Sequence, residues 1–194
     1  MSLKVLLVDP DAERAQSVVI ALAEAGFDNV ARAEAGADLV ETVRRLAPDL
    51  VVIDMALPDR DALEGVRALS ANAPKPIVMF ADKDDPGFVE EAIAAGVCSY
   101  NLSGVSNREM KSIVTSAVAL FRRYNKIETE LAAANAALDE RRLIERAKAA
   151  LMAKRGIAEP AAYRWLQRTA MNENRKIAQV AADVIKGESD HAPL

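Results

Sequence analysis

Asp49-Leu-Val-Val-Ile-Asp54 sets four consecutive apolar residues, three of them β-branched, between two acids. A run this short and this apolar reads as a strand buried on both faces of a parallel sheet, and Pro48 marks the break before it. Working outward, Lys4-Val-Leu-Leu-Val-Asp9 has the same form, and Ala12 to Ala25 follows with helical spacing and a stop at Gly26. Val30–Ala33 is a weaker strand and Ala37–Leu46 a helix. Beyond the central run come a helix around Ala62–Ser70, the strand Pro76-Ile-Val-Met-Phe-Ala81, a helix near Pro86–Ala95 closed by Gly96, and a last strand over Val97–Leu102. Five strands alternating with helices predict an α/β fold, a five-stranded doubly wound parallel sheet with its sites at the strand C-termini.

Two acids stand at such ends. Asp9 closes the first strand and Asp54 the third. Adjacent parallel strands would bring both into one acid pocket of the kind that suits Mg²⁺, with Asp54 as a carboxylate nucleophile toward a phosphoryl group. The blander alternative is that both acids only cap loops.

The composition bounds the rest. Residues 1–106 carry 9 Lys/Arg against 18 Asp/Glu, whereas residues 107–194 carry 16 against 11. Ten basic and three acidic residues fall between Arg141 and Lys176, a net of +7. That asymmetry predicts two jobs, the basic half being the candidate for a polyanionic partner. Cys98 is the single cysteine, so an internal disulfide is excluded. No segment approaches the ~20 apolar residues of a membrane span, and Met1-Ser2-Leu3-Lys4 lacks signal-peptide architecture, so the expectation is a cytoplasmic protein with no membrane partner.

Leu7-Val8-Asp9, Pro48-Asp49-Leu-Val-Val-Ile-Asp54-Met-Ala-Leu-Pro58 and Ala95-Gly96-Val97 before Tyr100 resemble response-regulator receiver domains over about residues 3–122. The resemblance implies a flavodoxin-like fold for residues 1–122, Asp54 as the phospho-acceptor position, and Asp9 in the acid pocket. Three positions depart from the receiver pattern. Pro10 stands where a second acid is usual, with Asp11 one step later as a substitute ligand; Ala81 stands where a hydroxyl is usual; Ser103 stands where a lysine is usual. A phosphoryl group at Asp54 would lose several stabilising contacts. The expectation is no cofactor beyond Mg²⁺ held weakly or not at all by Asp9 and Asp54, and control mainly by a protein partner.

From Asn107, read as an N-cap, the chain has neither Gly nor Pro until Gly156. Met110, Ala117, Tyr124, Leu131 and Leu138 recur every seven residues, as do Ile113, Leu120, Ile127 and Ala134, which predicts a coiled-coil seam. Residues 107–140 are therefore expected to extend the last receiver helix into a linker that makes a homodimer.

The remainder reads as a three-helix all-α domain over 131–187 with a tail at 188–194, where the lone His191 lies. Its helices are Arg141–Lys154, a second opened by Ile157-Ala-Glu-Pro160, and a third at Arg175–Ile185. Tyr163, Leu166, Ala170, Ile177, Val180, Ala181 and Val184 are its expected core, and Trp165 is placed there rather than on a nucleobase. Arg142, Arg146, Lys148, Lys154, Arg155, Arg175 and Lys176 are the binding cations, with Asn172 and Asn174 as contacts to loop bases or as a cap. Arg141-Arg-Leu-Ile-Glu-Arg-Ala-Lys148, Arg155-Gly-Ile-Ala-Glu-Pro-Ala-Ala-Tyr163 and Ala170-Met-Asn-Glu-Asn-Arg-Lys-Ile177 resemble an ANTAR domain, the RNA-binding output module of transcription antiterminators. With Val78-Met-Phe-Ala-Asp-Lys-Asp-Asp85, the whole is similar to nitrate-regulatory antiterminators of the NasT/AmiR type. That resemblance implies binding to tandem leader RNA hairpins and a ligand-sensing partner protein.

Rival readings are a DNA-binding response regulator with a recognition helix starting at Arg175, and a protein–protein adaptor. An enzyme fits poorly: outside the acid pocket there is neither a Ser–His or His–Glu set nor a glycine-rich phosphate loop.

Overall fold

The computed structural model describes residues 3–33, 38–57, 60–83 and 85–187. The tail at 188–194 with His191, and the motif residues Pro58 and Asp84, lie outside them. The chain divides into two compact units, Met1–Asn125 and Lys126–Leu194.

The first unit alternates β1 (Lys4–Val8), α1 (Ala12–Glu24), β2 (Asn29–Arg32), α2 (Leu39–Leu46), β3 (Leu50–Met55), α3 (Arg60–Asn72), β4 (Ile77–Ala81), α4 (Pro86–Ala95) and β5 (Ser99–Leu102). Among the described residues the strands form one sheet, all parallel, in the order β2-β1-β3-β4-β5. This is the doubly wound arrangement expected, with β3 at its centre. Side chains alternate across the sheet. Leu50 and Val52 pack with Val5, Leu7, Val78 and Phe80 on one face, whereas Val51 and Ile53 pack with Leu6, Ile77 and Met79 on the other. Helix α1 and the start of α5 (Asn107–Arg155) cover the first face; α2, α3 and α4 cover the second. Covering both faces is why β3 and β4 read as unbroken apolar runs rather than alternating ones.

Local signals set the helix ends. Gly26 (φ +94) lets the amide of Phe27 return to the Leu22 carbonyl at 2.8 Å. Gly96 (φ +112) closes α4, and a Cβ there would lie 2.1 Å from Ser70 Oγ, so only glycine fits. The start of α5 departs from the expected cap. Ser106, not Asn107, caps it: Glu109 Oε2 accepts from the Ser106 amide at 2.8 Å and from its hydroxyl at 2.6 Å. Asn107 instead donates through its side-chain amide to Glu24.

Three members of the expected seam, Met110, Ile113 and Ala117, also belong elsewhere. Ala117 is buried and Ile113 half-buried against the receiver core, together with Met110, Val114 and Val118. The apolar stripe that this unit leaves in solvent begins at Leu120 and continues through Tyr124. Ile127, Leu131 and Leu138 extend it, and all five are more than half exposed.

In the second unit, the end of α5, α6 (Glu159–Asn172) and α7 (Ile177–Lys186) enclose one core. Ala147 and Leu151 meet Ala162, Trp165, Leu166 and Ala170 from α6 and Val180 and Ala181 from α7. Trp165 is 2% exposed, as expected of a core residue, while Tyr163 is an exposed residue and not the core member read from its spacing. Gly156 (φ +65) ends α5, Pro160 sits in the first turn of α6, and Asn174 (φ +51) provides the left-handed residue between α6 and α7.

Candidate functional site

Because β1 and β3 are neighbours with Val8 opposite Ile53, Asp9 and Asp54 end up side by side at the C-terminal edge of the sheet. Both are buried. Between them lies a residue the sequence reading did not single out. Arg14, in the first turn of α1, forks onto Asp9, with Nε 3.1 Å from Oδ2 and Nη2 3.2 Å from Oδ1. Nη2 also donates to the main-chain carbonyl of Asp54 at 3.1 Å. Nε is 3.9 Å from Asp54 Oδ1, and Nη1 is 3.8 Å from Asp82 Oδ2.

The departures take definite places around this guanidinium. Ser103 reaches the pocket, its hydroxyl donating to Asp54 Oδ1 at 3.4 Å. Ala81 ends β4, fully buried and without a polar group to offer. Asp11 does not supply the expected third pocket acid. Its carboxylate caps α1, accepting from the amides of Glu13 at 2.9 Å and Arg14 at 3.1 Å, while its own amide donates to Asp9 Oδ1 at 2.8 Å. Pro10 makes that turn without competing for the pocket. Nothing in the spacing flagged Arg14: it is one basic residue on an amphipathic helix, and its partners lie 5, 40 and 68 positions away.

Burial pushes the Asp54 carboxyl from 3.8 up to about 6; the Arg14 charge opposes this, Asp9 and Asp82 add to it, and the Ser103 hydroxyl opposes it. Above pH 6 the folded state therefore holds an ionised, poorly solvated carboxylate. That cost fades as the pH falls through about 6 and is gone below the ordinary value of 3.8. An Asp54→Asn chain is expected to exceed the wild type in stability by ~1–3 kcal/mol near neutral pH, with the gap closing at about pH 4. Urea melts of the two chains across that range measure it; a gap that widens on acidification would reverse the assignment.

The expected cations of the second unit separate into two groups. Lys148 is buried, its side chain 11% exposed, and its Nζ lies 2.8 Å from Glu145 Oε1, 2.6 Å from Glu159 Oε1 and 5.9 Å from the centre of the Tyr163 ring. Its charge is compensated within the unit, and the two carboxylates hold its pKa up. Lys148 thus fastens α5 to α6 rather than meeting a phosphate. Arg175 pairs with Glu173 and Asp183, which ties the α6–α7 turn to α7. Arg155 lies over the Trp165 ring at 4.8 Å. The others stay in solvent: Arg142 (paired with Asp139 at 3.3 Å, yet 76% exposed), Arg146, Lys154 and Lys176. Asn172 and Asn174 are exposed as well, and neither caps α7; there the Lys176 amide donates to Gln179 Oε1 at 3.1 Å. Tyr163, Gln167, Met171, Asn174 and Lys176 line one open groove, about 650 Å³ in volume, between α6 and α7.

The response regulator receiver domain model matches residues 5–115, and the ANTAR domain model matches residues 132–185. The chain is 31% identical to the transcriptional regulatory protein PdtaR of Mycobacterium tuberculosis over 183 residues, 94% of this chain and 89% of that one. The chain belongs to the ANTAR-domain response regulators. The DNA-binding response regulator MtrA of the same organism is 33% identical, but only over 110 residues, 57% of this chain and 48% of MtrA. A response regulator from Thermotoga maritima (TM-score 0.54, 21% identity, 61% of this chain and 99% of that one) has the receiver fold. So does the chemotaxis protein CheY4 of Vibrio cholerae (TM-score 0.53, 22% identity, 60% and 99%).

As an ANTAR response regulator the chain is a regulatory protein built from a receiver and an output module. The receiver fold implies a divalent cation beside the phospho-acceptor position. The residues present do not fit one as they stand. Asp9 has both oxygens engaged by Arg14, Asp11 is turned to its cap, and among the described residues no group of three His, Cys, Asp or Glu side chains is placed to hold a metal. No helix is long and apolar enough to cross a membrane, among the described residues.

Proposed function

We propose that this ANTAR response regulator is a transcription antiterminator that binds tandem hairpins in nascent leader RNA as a homodimer. The observation that carries the reading is the ANTAR match over 132–185, on a segment whose cations Arg142, Arg146, Lys154 and Lys176 remain in solvent. An A-form hairpin stem hides its base edges, so a small helical module reads backbone charge and splayed loop bases. Exposed guanidinium and ammonium groups on one unit suit the first task. The groove bearing Tyr163, Gln167 and Asn174, with one aromatic face and two amides, suits the second. Dimerisation through the stripe from Leu120 to Leu138 presents two modules to two hairpins and multiplies their affinity.

Control follows from the altered receiver. With Ala81 and Ser103 in place of the usual hydroxyl and lysine, a phosphoryl group on Asp54 has few groups to hold it. The switch is then a ligand-sensing partner protein more than phosphorylation, and the NasT-like resemblance supports nitrate or nitrite assimilation as the regulated process.

The test is binding of the full chain to a two-hairpin leader RNA and to duplex DNA of matching sequence across a salt series. RNA binding should dominate. Arg142→Glu with Arg146→Glu should weaken it by on the order of tenfold or more and flatten the salt dependence by about one phosphate per lost contact. Tighter binding to the duplex DNA would favour a DNA regulator, and binding to neither would leave the protein adaptor.

A further inference from the structure

We propose that the Arg14 guanidinium is the resident cation of the receiver pocket and occupies the place that a divalent metal ion would take. This goes beyond the RNA reading, and neither depends on the other.

The argument begins with where the positive charge is needed. Asp9 is a carboxylate with a fully buried side chain, and Asp54 stands beside it, nearly as deep. Two adjacent carboxylates in a dry pocket repel, and burial alone disfavours their charged forms. A hard cation is the common remedy, taking carboxylate and carbonyl oxygens together. Arg14 meets that same oxygen set: both oxygens of Asp9, the Asp54 carboxylate, the Asp54 main-chain carbonyl and, at the rim, Asp82. A guanidinium is charged at any physiological pH and its planar fork matches a carboxylate edge.

The turn before α1 is arranged to keep Arg14 there. Asp11 accepts the amides of Glu13 and Arg14, which starts the helix so that position 14 faces the strand ends. The Asp11 amide donates to the Asp9 oxygen that Arg14 also uses. Pro10, lacking both a carboxylate and an amide hydrogen, leaves the pocket to Arg14. Mg²⁺ could enter only by displacing a buried bidentate ion pair while shedding its own tightly held water. The Pro10 and Asp11 departures therefore work together with Arg14, not merely as losses from a metal site. The receiver keeps one electrostatic state whether or not metal is available, and any signal must act through its surface.

The experiment uses the full chain, with Mn²⁺ as the probe followed by electron paramagnetic resonance, and thermal melts with and without Mg²⁺. Wild type is expected to show no Asp54-dependent Mn²⁺ site saturating by about 1 mM, the weak end of carboxylate sites, and no change in receiver melting with Mg²⁺. Arg14→Gln frees Asp9, Asp54 and a carbonyl, enough for an ion that keeps several waters. This chain should gain one Mn²⁺ site, and Mg²⁺ should raise its melting temperature by on the order of 5 °C. Adding Asp54→Asn should abolish both gains. If Arg14→Gln does not fold, Arg14→Lys keeps the charge and should fold while remaining silent to Mn²⁺. A wild-type site lost on Asp54→Asn, a folded Arg14→Gln chain that gains none, or an Arg14→Lys chain that binds Mn²⁺ would each overturn the proposal.

Discussion

A chain carrying Ile127→Asp and Leu131→Asp is expected to sediment as a monomer and to bind a two-hairpin leader RNA at least a hundredfold more weakly than the wild type. Leu120, Tyr124, Ile127, Leu131 and Leu138 leave large apolar side chains in water on one helix, with intervals of four, three, four and seven residues. A solvated helix face holds scattered apolar residues, whereas a sustained stripe at these intervals has the spacing of a coiled-coil seam, which in the proposed homodimer a second helix would cover. A buried aspartate without a partner costs several kcal/mol, so one on each helix at two successive layers should open the proposed dimer. The loss in RNA binding comes from geometry rather than contact, because neither residue lies in the ANTAR core or among its exposed cations. Binding to a single hairpin is therefore expected to change little. Sedimentation with titrations of one- and two-hairpin RNAs decides the matter. A monomer that keeps full two-hairpin affinity would remove avidity from the mechanism; a persistent dimer would place the interface elsewhere.

Trp165→Ala is expected to unfold the second unit and abolish RNA binding while the receiver melts normally. Truncating a buried tryptophan costs ~3–5 kcal/mol, comparable to the ~5 kcal/mol of total stability a domain this small commands. Trp165 packs with Leu151, Leu166 and Val180, from all three helices, so no single helix can shift to fill the space. Among the described residues its buried indole nitrogen has no hydrogen-bond partner, and Arg155 covers the ring face. Trp165→Phe removes that unpaired donor and keeps an aromatic face, so it should be much milder than alanine. Calorimetry on the full chain should show one transition lost in the alanine variant and both retained in the phenylalanine one. Two intact transitions with Trp165→Ala, but RNA binding lost, would instead make Trp165 a contact residue.

The legible parts of this protein share a cause. The run around Asp54 reads as a strand because covering both sheet faces demands consecutive apolar residues. Gly26, Gly96 and Gly156 read as helix stops because each takes a backbone conformation costly to other residues. Lys148 and Arg142 show where legibility ends. Both are basic residues on one helix in an ANTAR-like motif, yet one is clamped by Glu145 and Glu159 and the other is in solvent. Ala117 and Leu120 divide similarly: both fit a seven-residue repeat, but the receiver core takes the first and leaves the second.

The amino-acid sequence by itself determined the order of the strands and helices, the placing of Asp9 and Asp54 at strand ends, and the apolar stripe. All of these rest on periodicity and backbone preference, which act over a few neighbouring residues. Only the tertiary structure decided that Arg14 sits between Asp9 and Asp54, that Asp11 caps a helix rather than lining the pocket, and that Lys148 holds two helices together. Charge compensation depends on distance through space, and the chain brings Arg14 to Asp54, 40 residues on, only once the sheet has formed.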